Sequence, residues 1–195
     1  MSQKIYLASR SPRRAELLQQ IGIEHVILPS DVDESLLANE HPHDYVLRLA
    51  RTKAEACFAD LKQAGLPLMP ILAADTTVSV GDLILGKPEH DEEAREMLKR
   101  MSGGWHEVHT GIAVASAQGV ETALSTTRVQ MAELSDAAIT AYIASGEPRD
   151  KAGAYGIQGL AGIFIKRIEG SYSGVMGLPI FETAQLLNNA GIRVL

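Results

Sequence analysis

Apolar and polar positions along the chain change their period several times, and each change marks an element. The segment KIYLASRSPRRAELL, Lys4 to Leu18, opens with a short apolar run, Ile5 to Ala8, that reads as a strand. A helix follows from about Pro12 to Ile21, with Leu17, Leu18 and Ile21 facing inward. Ser11 stands at the N-cap position, Pro12 at the first helical position, and Gly22 ends the element. His25 to Leu28 reads as a second strand, and Asp31-Val32-Asp33-Glu34 as an acidic loop. Val46, Leu49, Ala50, Ala54, Cys57, Phe58 and Leu61 recur near the 3.6-residue period, which predicts a helix from about His43 to Lys62. Lys53 lies on or beside that stripe. It either snorkels outward on its long stem or points into a polar cleft.

From Pro67 to Asp82 the chain is apolar and β-branched and closes on a Gly-Asp turn signal, so it reads as a strand. Ile84 to Pro88 continues the hairpin and stops at proline. Asp91 to Met101 is a predicted helix, acidic at its start and basic at its end. Trp105–Ser116 and Val120–Ala132 read as paired strands around Ala117-Gln118-Gly119. Ser135 caps a helix running to Ser145, with Ile139, Tyr142 and Ile143 on its inward face. Gly162 to Ile168 reads as another strand and Phe181 to Ala190 as a last helix. Hairpins require antiparallel pairs, so an α/β fold with a mixed rather than purely parallel sheet is expected.

Charge narrows the ligand. The 195 residues carry a formal net charge of −6, which disfavours a nucleic-acid polymer, since that partner needs a basic stripe. Arg13 and Arg14 are a local exception. They fall in the first turn of a helix, where the dipole repels cations. Free N–H groups, the dipole and two guanidinium groups make a receptor for a small polyanion such as phosphate. The plain alternative is two solvated surface arginines. No run of about 18 apolar residues and no basic-then-apolar leader is apparent, so a cytoplasmic protein without a membrane segment is expected. The single cysteine, Cys57, fits a small buried apolar residue better than a nucleophile.

Asp75 is the sharpest anomaly, a carboxylate in the middle of an apolar strand. Burial of such a group is costly unless it is paired or bound to a cation. With Asp31, Asp33 and Glu34 it makes an acidic set suited to Mg²⁺ or Mn²⁺, ions that share one or two carboxylates with substrate phosphates. Asp31 and Asp33 also serve as ordinary turn-formers. His106 and His109, three apart on a strand, point to opposite faces and are expected to be structural or solvated rather than a zinc pair. The loop GEPRDKAGAYGIQG, Gly146 to Gly159, places four glycines in fourteen residues. It offers Asp150 and Lys151 as a pair, the Tyr155 ring and hydroxyl, and the Gln158 amide, which can donate and accept together at a base edge.

LASRSPRRAELL, the Asp33-Glu34 pair, AADTTV, GKP, GEPRDKAGAYGIQG and EGSYSGVMGLP together resemble the Maf family of nucleoside triphosphate pyrophosphatases. The resemblance implies an elongated mixed sheet flanked by helices around a central cleft, related to the inosine triphosphate pyrophosphatases. It implies one domain over residues 1–195 with two lobes around the cleft, a divalent cation and a homodimer. The wording DKAGAYGIQG is similar to the branch that cleaves dTTP and UTP. On this resemblance Asp75 is the proton acceptor, and Arg13, Thr76 and Gln158 occupy positions associated with substrate choice. Ser9, Arg14, Lys53 and Lys87 match residues that hold the triphosphate, and Glu34 joins Asp75 at the cation. Arg10, Ala74 and Met176 depart from the usual residues, and Arg10 adjoins the anion site. The alternative function is a nucleotide-binding regulator of cell division with little turnover.

Overall fold

The computed structural model describes residues 4–194. Seven strands form one mixed sheet: β1 (Lys4–Leu7), β2 (Glu24–Ile27), β3 (Ile71–Val80), β4 (Leu83–Leu85), β5 (Trp105–Ser116), β6 (Gly119–Met131) and β7 (Ile165–Glu169). Six helices flank it: α1 (Pro12–Gln20), α2 (Pro42–Gln63), α3 (Asp91–Met101), α4 (Asp136–Ala144), α5 (Tyr172–Met176) and α6 (Ile180–Asn189). The strand order is β2-β1-β3-β5-β6-β7, with β4 also on β3. β1 pairs in parallel with β2 and β3, and every other pairing is antiparallel. The mixed sheet follows from the sequence: the β1–α1–β2 crossover makes parallel neighbours, and the short turns after β3 and β5 make antiparallel ones.

β3 decides where the site lies. Its inner edge pairs continuously with β5, from Ile71↔Ala115 to Ser79↔Glu107. Its outer edge pairs with β1 only at Ile71 and Leu72, and with β4 only from Val78 to Val80. Residues 73–77 therefore have no strand partner on that side, and the sheet opens there.

Alternation sends Ile71 and Ala73 to one face, against Ala50, Ala54, Cys57 and Leu61 of α2. It sends Leu72 and Ala74 to the other, against Leu17 and Leu18 of α1 and Leu186 and Leu187 of α6. A third core lies beyond the opening, where Val78, Val108 and Val129 meet Leu98, Ile139, Tyr142 and Phe164. The stripe expected on α2 is buried as the period requires, with Phe58 partly covered. Cys57 is buried, and desolvation pushes its thiol above the ordinary value.

Helices α1 to α4 match the expected elements within a residue or two. Two expected strands are corrected: β3 begins at Ile71, after Pro70, rather than at Pro67, and Gly162 to Phe164 lie in a 3-10 turn, Leu160–Phe164, so that β7 begins only at Ile165. A short apolar run cannot by periodicity be told from a buried turn. Here Ala161 and Phe164 are drawn into the core as the chain turns. The five-residue helix α5 was not expected, because one turn shows no period; Ser171 Oγ fixes its start by accepting from Gly174 N at 3.0 Å. Among the described residues no helix is long and apolar enough to cross a membrane.

The candidate active site

α1 begins at the mouth of the opening. Ser11 stands at the N-cap, but its hydroxyl makes no bond to the first turn, and no acidic residue lies there. The helix start thus keeps unsatisfied N–H groups beside Arg13 and Arg14. Arg14 turns inward. Its Nε donates to Gly177 O (2.7 Å), Nη1 to Ser9 Oγ (3.0 Å) and Nη2 to Thr76 Oγ1 (3.1 Å). Burial pulls this guanidinium below its ordinary value, Asp75 opposes that and Arg13 adds to it, yet a guanidinium stays charged throughout. Arg13 reaches instead toward Asp150 Oδ2, 3.6 Å away, on the glycine-rich loop.

Asp75 is only 8% exposed and lies on the α2 face of β3. Lys53 of α2 meets it, its Nζ donating to Asp75 Oδ1 at 2.6 Å and standing 2.6 Å from Glu34 Oε1. The open question over Lys53 is resolved toward the cleft, and the anomalous strand carboxylate has its cation. Burial pushes the Glu34 carboxyl up, but the Lys53 hydrogen bond and the charges of Lys53, Lys87 and Arg14 outweigh it and hold it below the usual range.

These groups border one cavity of about 360 Å3. Ser9, Arg13, Arg14, Glu34, Lys53, Asp75, Thr76, Lys87 and Gln158, the residues that the resemblance assigned to the site, all line it. Asp31 and Asp33 do not. Asp31 pairs with exposed Arg10 (2.8 Å), and Asp33 accepts from Ser35 N (2.9 Å) as a turn-former. Six cationic side chains, Arg10, Arg13, Arg14, Lys53, Lys87 and Lys151, line the cavity against the carboxylates Glu34, Asp75 and Asp150. In a chain of net charge −6, that local excess suits a ligand with several negative charges.

The far wall is the glycine-rich loop, two 3-10 turns at Glu147–Asp150 and Ala152–Ala154. Lys151 Nζ bonds Asp150 Oδ1 at 2.7 Å, the expected pair. Tyr155 gives the cavity its ring, but its hydroxyl turns away to His106 Nε2 (2.7 Å). Sequence reasoning missed that bond, as well as Thr110, whose hydroxyl lies behind Thr76 (2.8 Å). Burial alone marks neither residue in a sequence.

His106 and His109 are structural, as expected. His109 bonds Ser79 Oγ and Thr126 Oγ1. Desolvation lowers the His106 imidazole to about 4, and its Nδ1 has no partner among the described residues. Folding therefore favours neutral His106. Its stabilising effect is complete above the unfolded value near 6.5 and is lost as pH falls from there toward about 4. The melting temperature of His106→Asn is expected to vary less across that interval than that of the parent chain. Parallel melting curves over those pH values would contradict this.

A dTTP/UTP pyrophosphatase of Methylobacillus flagellatus is 67% identical over 191 residues, covering 98% of this chain and 94% of the relative. A dTTP/UTP pyrophosphatase of Nitrosomonas europaea is 55% identical, covering 97% and 96%. A nucleoside triphosphate pyrophosphatase of Haemophilus ducreyi is 50% identical, covering 100% and 99%. The family model described as Maf-like protein matches residues 4–190, the span that holds β1, the opening in β3 and the whole lining of the cavity, and the chain belongs to the Maf family.

Proposed function

We propose that this chain hydrolyses dTTP and UTP to the monophosphate and pyrophosphate, in one domain whose halves flank the cleft. The observation that carries this reading is the meeting of the basic start of α1 with strand-borne Asp75 at one cavity. The relatives named above are described as pyrophosphatases, which favours turnover over a purely regulatory role.

Each residue has a task that its placement permits. Lys87 and Arg13 line the cavity where they can take phosphate oxygens, Arg13 by leaving its 3.6 Å partner Asp150; Lys53 adds its charge from its place between Asp75 and Glu34, and Arg14 supports them from beneath with Ser9. Their charge offsets what accumulates on the phosphates as the α–β bond breaks. Asp75, bonded to an ammonium, accepts a proton from the attacking water with the oxygen that Lys53 does not occupy.

A divalent cation, Mg²⁺ or Mn²⁺, belongs to this reading, and the residues fit one. Glu34 Oε1 and Asp75 Oδ1 already stand around a single positive charge, each 2.6 Å from Lys53 Nζ. No cluster of three His, Cys, Asp or Glu side chains able to hold a metal is present among the described residues. Two carboxylates suffice for Mg²⁺ when substrate phosphates and water complete its shell. Such an ion, when bound, neutralises phosphate charge and makes water more acidic. As expected of the family, the protein would act in the cytoplasm as a homodimer.

Gln158 and Thr76 border the cavity with groups that can pair with the edge of uracil or thymine. A site built to pair with such groups rejects bases that leave them unpaired. A panel of nucleotides assayed with Mg²⁺ or Mn²⁺ is expected to give good cleavage of dTTP and UTP, weaker cleavage of CTP and poor cleavage of purine triphosphates. The products should be monophosphate and pyrophosphate. Equal rates with GTP and UTP would refute the base assignment, and release of orthophosphate with a diphosphate would refute the bond assignment.

A further inference from the structure

Behind Thr76 lies a chain of hydroxyls whose protons can be counted. Thr110, on β5 and fully buried, donates its only hydroxyl proton to Gly174 O at 2.8 Å, because a carbonyl can only accept. The 2.8 Å bond between Thr76 Oγ1 and Thr110 Oγ1 must then use the proton of Thr76. Thr76 Oγ1 meanwhile accepts from Arg14 Nη2 at 3.1 Å, and a guanidinium can only donate. One lone pair remains on Thr76, at the cavity wall, and no proton.

We propose that Thr110 is a specificity-setting positioning residue: it fixes Thr76 as a hydrogen-bond acceptor toward the cavity, so that the site takes a pyrimidine bearing N3–H and turns away one whose N3 is an acceptor. This rests on the reading of the cavity as a dTTP and UTP site. Phosphate oxygens are acceptors and gain nothing from such a hydroxyl. Uracil and thymine offer a donor at N3, whereas cytosine sets a lone pair against a lone pair. The polarity is built into the sheet, since Thr110 is the register partner of Thr76 and Gly174 belongs to α5, packed on the same face.

The test compares kcat/KM for UTP and CTP in the parent chain, Thr110→Val and Thr110→Ser. Valine keeps the shape and removes both bonds, which frees the Thr76 proton to meet cytosine N3. The preference for UTP over CTP is expected to fall about tenfold, the scale of one hydrogen-bond mismatch, mainly through a lower KM for CTP. Serine keeps the hydroxyl and should keep the preference. If Thr110→Val does not fold, Thr110→Ala, which likewise removes both bonds, supplies the same ratio. Equal losses for both nucleotides, with the ratio unchanged, would make Thr110 merely structural and overturn the proposal while leaving the substrate reading intact. A Thr76 hydroxyl turned to the ribose gives that same result, because the two substrates share their sugar. A parent chain that cleaves CTP as readily as UTP overturns both.

Discussion

Asp75→Asn is expected to lower turnover of UTP by about two to four orders of magnitude, the usual scale for a lost general base. That corresponds to roughly 3–5 kcal/mol at the transition state. The substitution is close to isosteric, and the amide oxygen still accepts from Lys53, which also keeps Glu34 at 2.6 Å. The fold should survive, because Asp75 contributes backbone pairing to β5 whatever its side chain. The loss should fall on kcat rather than KM, since the cationic side chains that bind the triphosphate remain. Circular dichroism and melting temperature check the fold, and steady-state kinetics with pyrophosphate detection check the chemistry. Near-normal turnover in a folded Asp75→Asn protein would remove Asp75 from the mechanism.

Gly111→Ala is expected to destabilise the protein by about 3 kcal/mol or more, at the upper end of the range for overpacking. Gly111 is the register partner of Asp75 and faces α2. A Cβ built there would stand 2.5 Å from Val46 O, 2.6 Å from Val46 C and 2.8 Å from Leu47 N. These are main-chain atoms of a helix, so no side chain can swing aside. Either α2 lifts or β5 bends. Lifting α2 moves Lys53, two turns further along the same helix, off Asp75. Melting temperature should drop by about 6–12 °C for a chain of this size, and turnover should fall with it. A variant with parental melting and parental kcat would show that the close approach of α2 at Gly111 is unimportant.

Much of this was legible in the sequence, and the reasons differ by residue. Asp75 was legible because a carboxylate within ILAADTTVSV breaks the chemistry of a buried strand. Arg13 and Arg14 were legible because they oppose the dipole of the helix that carries them. Lys53 showed only as an irregularity on an apolar stripe, and its partner 22 residues later is fixed by the tertiary packing of α2 on β3. Glu34 showed only as one member of an acidic set whose other loop members, Asp31 and Asp33, stay outside the cavity, and Lys87 and Ser9 entered through the family resemblance, since their local sequence is ordinary for a turn and a strand end. Thr110 left no signal, because a threonine in a strand is unremarkable until its neighbours across the sheet are known. Gly162 to Phe164 misled because GIFI reads as a strand while the chain around it is turning.

The long ladder between β3 and β5 carries a mechanical consequence. Residues of these two strands enter all three hydrophobic cores: Val78 and Val108 in one, Leu72 and Ile112 in the second, Ala73 and Ala113 in the third. A hinge between the groups flanking the cleft would have to shear a nine-pair register that is shared by everything packed against it. Such a spine holds Asp75 and Thr76 at constant depth while the enzyme works. Adjustment to an arriving nucleotide falls to the surface segments around Glu34 and Gln158, and the rate at which they rearrange would bound how quickly the products escape.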